Sequence, residues 1–254
     1  MKKNNFRYLH QEYATYSAEK LAWIGNFAKE RVRYLKDYIA DKPFRKILEL
    51  GCGEGSLAYE VKKISNSQVY GLDLSAEGVA LARKRGILAK RADLNQGIPL
   101  PSNTFDLVFS DQLIEHVYDT DFLLKECHRI LKRDGHLIII TPNLSFWMNR
   151  ILFFIGIYPV FLEASLLKKT LGQKFLKRFI VDQEAMGHIR VFNLAALVDI
   201  LELQGFTVEK RIGIPQTFNL SKIYKIFYDL IDWAFSKIPS FARDIMIVAK
   251  KTKT

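Results

Sequence analysis

The stretch Ile47-Leu48-Glu49-Leu50-Gly51-Cys52-Gly53-Glu54-Gly55 constrains this chain more than any other. A short, largely apolar run ends in glycines at every second position, and a helical pattern comes next. Glycine lets a backbone turn sharply and approach a ligand with no Cβ in the way. Taken alone, a Gly-x-Gly turn is equally a structural bend. The residues beyond it continue a regular rhythm. After a strand over 46–50 and a helix near 55–64 come a strand over 68–72, a helix near 75–85 and a weak strand over 87–91. A strong strand over 105–109 and a helical stretch to residue 131 are next, then a turn at Asp134-Gly135 and a strand over 137–140. Strands alternating with helices at this spacing predict βαβ units, and so a parallel sheet with right-handed crossovers that place helices on both faces.

Two segments break the alternation. Residues 144–187 contain an uninterrupted run without charge, 151–162, between Arg150 and Glu163. As one helix it would span about 18 Å, short of the roughly 30 Å of a bilayer core. Gly156 and Pro159 also argue against a spanning helix, so a buried lid helix or an interfacial segment is expected. Alternation resumes with a helix over 194–203 and a strand over 206–212. A second insertion, 214–242, places Ile223, Phe227, Leu230, Ile231 and Ala234 at helical spacing, and a last strand covers 245–249. Upstream, Ser17 is positioned to cap a helix whose stripe is Leu21, Ile24, Phe27, Ala28, Leu35, Tyr38 and Ile39, with Pro43 beyond its end. The 254 residues suit a single α/β domain, with 1–45 as an N-terminal helical segment and 46–143 as the ligand-binding core.

Charge is uneven along the chain. Net charge is +11, distributed as +6 over residues 1–46, −2 over 47–143, +2 over 144–206 and +5 over 207–254. The densest basic run, Lys168, Lys169, Lys174, Lys177 and Arg178, is either a solvated face or a docking patch for phosphate groups. Cys52 and Cys127 form no disulfide framework, and no cluster has metal-ligand spacing, so no metal is expected. Residues 1–10 are polar, no secretory leader is expected, and a cytoplasmic location follows.

Asp73 closes the second strand, 22 residues after Gly51. A carboxylate there can accept hydrogen bonds from both hydroxyls of a ribose. The dinucleotide fingerprint wants glycine or alanine at the sixth position, where this chain has Ser56. Glu49 would repel a pyrophosphate, whereas it suits a ligand bearing a cationic amine.

With these residues the chain resembles the class I S-adenosylmethionine-dependent methyltransferases. Five stretches match in order: Glu49 to Gly55; Val69-Tyr-Gly-Leu-Asp73-Leu-Ser75; Arg91-Ala-Asp93-Leu94; Phe105-Asp106-Leu-Val-Phe-Ser110, with Glu115-His116 beyond; and Leu131-Lys-Arg-Asp-Gly135-His-Leu137. The resemblance implies a Rossmann-like, seven-stranded, mostly parallel sheet with the last strand antiparallel, and S-adenosylmethionine as cofactor. It implies that Gly51, Gly53 and Gly55 back the methionine and ribose portions. Asp73 would hold the ribose, Leu74 and Leu94 would flank the adenine, and Asp93 would accept from its amino group. Ser110 and Gln112 would lie near the methionine end.

The acceptor side is less determined. A sulfonium donor is already electrophilic, so the protein's task is mainly alignment and exclusion of water. A hydroxyl acceptor benefits from a base, and His116 and His188 are the candidates. The segment Gly187-His-Ile-Arg-Val-Phe192 resembles a His-x-Arg-x-Phe stretch found in relatives of quinone and glycan O-methyltransferases, and Arg190 is a candidate for an anionic acceptor. The leading expectation is an O-methyltransferase acting on a small or lipid-linked acceptor. The rivals are an RNA methyltransferase, which the positive charge favours and the missing RNA-binding module disfavours, and a non-catalytic cofactor-binding subunit. Both insertions are rich in aromatic residues and are expected to meet over the carboxyl edge of the sheet, as a closed lid or as a peripheral contact with an anionic membrane at its inner face.

Overall fold

The computed structural model describes residues 18–173, 184–215 and 222–252, the side chains of 18–28 and 222–225 aside. Helix α1 (Ala18–Ile39) precedes β1 (Lys46–Leu50), α2 (Ser56–Ile64), β2 (Gln68–Asp73), α3 (Ala76–Lys84) and β3 (Leu88–Arg91). The second half runs β4 (Phe105–Asp111), a single 3₁₀ turn at Ile114–His116, α4 (Thr120–Ile130), β5 (Leu131–Pro142), α5 (Trp147–Phe154), α6 (Leu194–Leu203), β6 (Phe206–Ile214), α7 (Lys222–Ser236) and β7 (Asp244–Lys251). The strands form one sheet in the order β3-β2-β1-β4-β5-β7-β6. Pairing is parallel from β3 through β5, and β7 runs antiparallel to both β5 and β6. This is the expected Rossmann-like architecture.

Strand residues of both parities are buried, because helices cover both faces. On one face Leu48, Leu50, Val108, Leu137 and Ile139 pack with Leu123, Leu124, Cys127 and Ile130 of α4 and Leu197 and Leu201 of α6. On the other, Ile47, Val69, Leu107, Ile138 and Ile140 pack with Leu35 and Ile39 of α1, Ala58 and Val61 of α2, and Val79 and Ala82 of α3. Because β1 pairs with β2 on one side and β4 on the other, connections leave it in both directions. The crevice beyond the carboxyl ends of β1 and β4 is therefore the place where such sheets bind ligands.

Two local expectations are corrected, and a third element is more exposed than a core helix. β5 begins at Leu131, not near 137: Phe105 pairs with Leu131 and Leu107 with His136, so residues 132–135 bulge out of the ladder. The Asp134-Gly135 turn is this bulge, with Asp134 at φ 62°. The uncharged run 151–162 is not one helix. Helix α5 starts earlier, at Trp147, and stops at Phe154, where Gly156 enters the left-handed region at φ 68°. The apolar stripe of α7 points outward: Phe227 and Leu230 are 63% and 62% exposed, while Tyr228, Asp232 and Ser236 face inward. Periodicity identified the helix but not its inner face, because α7 is apolar on both. Ser17, Lys174, Lys177 and Arg178 lie outside the described residues.

Both insertions leave the carboxyl edge and meet through Trp147. Its ring stacks on Phe235 at 5.7 Å and lies 5.8 Å from Tyr228, and its Nε1 donates to Asp232 at 2.9 Å. Asn143, at the end of β5, is buried and donates to the carbonyls of Ser240 and Ala242 just before β7.

Candidate active site

The glycine loop lies in the crevice at the end of β1. Gly53 has φ 48°, and a Cβ added there would meet nothing within 4 Å, so the loop leaves open space above its backbone. Gly55 is the opposite case: at φ 78°, a Cβ would come within 2.8 Å of the Ala82 Cβ. The first keeps room for a ligand, and the second lets the loop close onto α3. Asp73 sits beside them, its Oδ2 accepting from Gly53 N and its Oδ1 from Ser75 N, both at 2.7 Å. Two amides fix the carboxylate and leave its remaining lone pairs for hydroxyls.

Glu49 is buried with its Oε2 unpartnered. Burial, reinforced by the nearby charges of Asp111 and Asp73, pushes its carboxyl well above the usual range. A carboxylate orphaned at the head of a glycine loop fits a ligand with a cationic amine better than it fits a packed core. Gln112 directly follows β4, the strand paired with β1, and is held at φ 54° with its own N–H donating to Ile140 O and its Nε2 unpartnered. A left-handed glutamine beyond a central strand is strain of the kind kept at sites. Ser110 is buried at the end of β4, between Leu50 and Ile139. The residues present thus fit S-adenosylmethionine on three counts: an orphaned buried acid, an open backbone cradle and a fixed ribose-type carboxylate.

The adenine side is less open than the resemblance implies. Asp93 accepts from Asn95 N, Asn95 Nδ2 and Gln96 Nε2, and so braces its own turn. It also lines a groove of about 360 Å³ with Gln96, Ile98 and Phe122. Leu94 is buried in the core under α4, whereas Leu74 is half-buried and its carbonyl accepts from Arg91 Nε.

The other two expected residues, His116 and His188, are 72 positions apart, yet their ring centroids are 4.9 Å apart. Sequence reasoning missed what brings them together. The Glu163 carboxylate accepts from the backbone N–H groups of Met186, Gly187 and His188 in succession. The Glu115 carbonyl accepts from Ile189 N and Arg190 N, fastening the same segment to the 3₁₀ turn. His116 Nδ1 lies 3.1 Å from Gly187 O, and His188 Nδ1 lies 2.8 Å from Phe161 O. Burial lowers both imidazole pKa values, that of His116 to about 3, so both rings are neutral near pH 7. A carbonyl accepts only from N–H, so each ring's proton is on Nδ1 and its Nε2 carries the lone pair. Glu115 is fully buried, with Oε2 accepting from Thr141 Oγ1 at 2.9 Å and Oε1 unpartnered, and burial raises its carboxyl to about 8.

Arg190 is turned elsewhere. Its guanidinium donates to the Tyr118 carbonyl and lines a groove of about 400 Å³ whose wall includes Asp119 and Asp121. The structure brings it to the histidine segment through its backbone rather than its charge. A further unanticipated feature is Arg31 of α1, buried between Asp111 at 2.7 Å and Asp244 at 3.3 Å. It ties the N-terminal helix to the carboxyl edge beside Glu49.

Residues 48–139 match the family described as "Methyltransferase domain". Over 183 residues the chain is 32% identical to a Mycolicibacterium smegmatis protein named "Probable S-adenosylmethionine-dependent methyltransferase/", covering 70% of this chain and 58% of that one. It is 32% identical over 137 residues to a ubiquinone biosynthesis O-methyltransferase of Pelagibacter ubique, covering 47% and 55%. The chain therefore spans little more than half the length of these curated relatives. Among solved structures, a Thermotoga maritima S-adenosylmethionine-dependent methyltransferase, "possible histamine N-methyltransferase", superposes with TM-score 0.61 at 19% identity over 97% of this chain and 98% of that one. At that identity the likeness is one of fold.

Proposed function

We propose that this chain, which belongs to the class I S-adenosylmethionine-dependent methyltransferases, transfers a methyl group to a hydroxyl of a small or lipid-linked acceptor. The observation that carries the reading is the pairing of a cofactor cradle at the end of β1 with a neutral histidine pair beyond β4, on the same edge of one sheet. S-adenosylmethionine, when bound, supplies an electrophilic methyl group on a sulfonium. The chain's residues have three tasks around it. Gly51, Gly53 and Gly55 give it backbone, Asp73 holds hydroxyls, and Glu49 meets the amine. His116 and His188 present Nε2 lone pairs toward the acceptor side and can hold a hydroxyl without carrying a proton at rest. Trp147 and α7 shield this edge from water. The test is to supply labelled donor to the purified chain with a host extract fractionated into lipids, small molecules and RNA. Label in the lipid or small-molecule fraction supports the reading, and label in RNA alone overturns it.

Asp73→Ala should weaken binding of S-adenosylmethionine by about 1–3 kcal/mol, since charge-assisted hydrogen bonds are lost. Calorimetry giving unchanged affinity would remove the ribose assignment.

Glu49 supplies a pH signature. Its carboxyl holds a proton above the usual range, and a cationic amine beside it favours the carboxylate. Binding therefore releases a proton, and affinity rises with pH between the lowered, ligand-bound pKa and the raised, free one. Titrations in two buffers of different ionisation enthalpy should show proton release in the wild type and none in Glu49→Gln. Equal release in both would refute the assignment.

The acceptor's lipid character is supported by the outer face of the insertions. Phe154 is 91% exposed, and Ile151, Phe153, Ile226, Phe227, Leu230 and Trp233 are also exposed. Arg150 and Lys237 lie over the rings of Phe241 and Trp233, and Lys168 is exposed beside Leu166 and Leu167. Aromatic and aliphatic residues bordered by cations suit an anionic bilayer surface at the inner face, each charge adding about 1 kcal/mol. Among the described residues no helix is long and apolar enough to cross a membrane. The chain should sediment with anionic vesicles in a salt-sensitive manner and not with neutral ones. Phe154→Asp with Phe227→Asp should abolish this, and absence of wild-type binding would leave the insertions as a lid only.

A further inference from the structure

We propose that Glu115, His116 and His188 form a binding site for one divalent transition-metal ion, with open coordination positions facing the acceptor. One carboxylate oxygen and two imidazole nitrogens lie within 4.8 Å of one another. A first-row cation with bonds of about 2.0–2.2 Å holds its ligand atoms roughly 3–4 Å apart, so this triangle needs only a small contraction.

The cluster is built rather than incidental. Glu115 and His188 are buried, and Glu115 Oε1 and His188 Nε2 are both left without a hydrogen-bond partner. Two buried polar atoms left without a hydrogen-bond partner are costly in a core. A cation satisfies both at once. Each imidazole donates its Nδ1–H to a backbone carbonyl, His116 to Gly187 O and His188 to Phe161 O, which fixes the ring and turns Nε2 into the ligand. That is the outer-shell arrangement that metal-bound histidines use. Thr141 Oγ1 orients the Glu115 carboxylate from the opposite side through Oε2, leaving Oε1 as the ligand oxygen. The Glu163 clamp on residues 186–188 then acts as a positioning device for the third ligand.

Two imidazoles and a carboxylate form a mixed nitrogen and oxygen set, which suits Zn²⁺, Co²⁺, Fe²⁺ or Mn²⁺ and disfavours Ca²⁺. Three protein ligands leave at least one position open, as in catalytic rather than structural sites. A cation there would lower the pKa of a hydroxyl placed on the open position. This use of the ion rests on the methyl-transfer reading above, whereas the coordination itself rests on the geometry.

The test uses the full chain, stripped with chelator and titrated with Zn²⁺ by calorimetry and with Co²⁺ by visible absorption. We expect one ion per chain and a Co²⁺ spectrum of low-symmetry nitrogen and oxygen coordination. Glu115→Gln and His188→Asn should each reduce Zn²⁺ affinity by at least about 10–100-fold, the range seen when even outer-shell partners are lost. S-adenosylmethionine titration of the same samples reports whether each variant is folded and whether the cofactor site stands. Unaltered cofactor binding with no Zn²⁺ or Co²⁺ uptake by the wild type overturns the metal site and leaves the methyltransferase reading intact. Uptake that the two substitutions do not weaken also overturns it.

Discussion

Replacing His188 or His116 by alanine should lower turnover by about 10²–10⁴ while leaving S-adenosylmethionine affinity nearly unchanged. The separation of effects follows from the geometry. Both rings belong to the 3₁₀ turn beyond β4 and the segment held by Glu163, whereas the cofactor cradle is built from β1, β2 and the loop between β1 and α2. His188→Asn serves as a structural control, because an amide can still donate toward the Phe161 carbonyl while offering no imidazole Nε2. Turnover that falls equally in the alanine and asparagine variants locates the loss in the ring's second nitrogen. Single variants that all keep full turnover would show that the acceptor needs neither histidine, and methylation of nitrogen or carbon would then gain ground.

Arg31→Met should destabilise the fold by about 3–5 kcal/mol, the cost of removing one partner from a buried ion pair. Asp111 and Asp244 would be left facing each other, with Glu49 close to Asp111. Burial already raises the Asp111 carboxyl against the pull of Arg31, so its charge depends on the guanidinium. Burial opposes the charge on Arg31 in turn, and the two aspartates outweigh it and hold the guanidinium protonated. Urea unfolding of the cycle Arg31→Met, Asp111→Asn and the double variant checks this. The double variant should recover part of the single variant's loss, and strict additivity would mean that the pair is not coupled. Because this bridge joins α1 to the edge beside Glu49, the Met variant should also bind S-adenosylmethionine more weakly.

The parts of the site that were legible in the sequence are local ones. Glycine spacing reports a backbone conformation, and Gly53 and Gly55 do sit at positive φ. The interval from Gly51 to Asp73 reports one βα unit, since a strand, a turn and a short helix consume a set number of residues. Leu94 shows the limit of this reasoning, because an apolar residue after a motif aspartate reads the same whether it walls a ligand or fills the core. Helix α7 shows it again: an apolar residue at helical spacing declares the helix, not the direction it faces.

The sequence by itself determined the alternation of strands and helices, the open sheet and the cofactor half of the crevice. All of these follow from short-range periodicity and from the conformations that glycine permits. Only the tertiary structure decided the acceptor half. Glu115 and His116 stand on the turn after β4, His188 follows the first insertion, Thr141 closes β5, and Glu163 reaches 23 to 25 residues along the chain to grip three amides. Arg31 spans 80 residues to Asp111 and 213 to Asp244. No local pattern encodes such pairings. They arise because the strand order sets the ends of β4, β5 and β7 side by side, and because burying these charges is tolerable only once they meet.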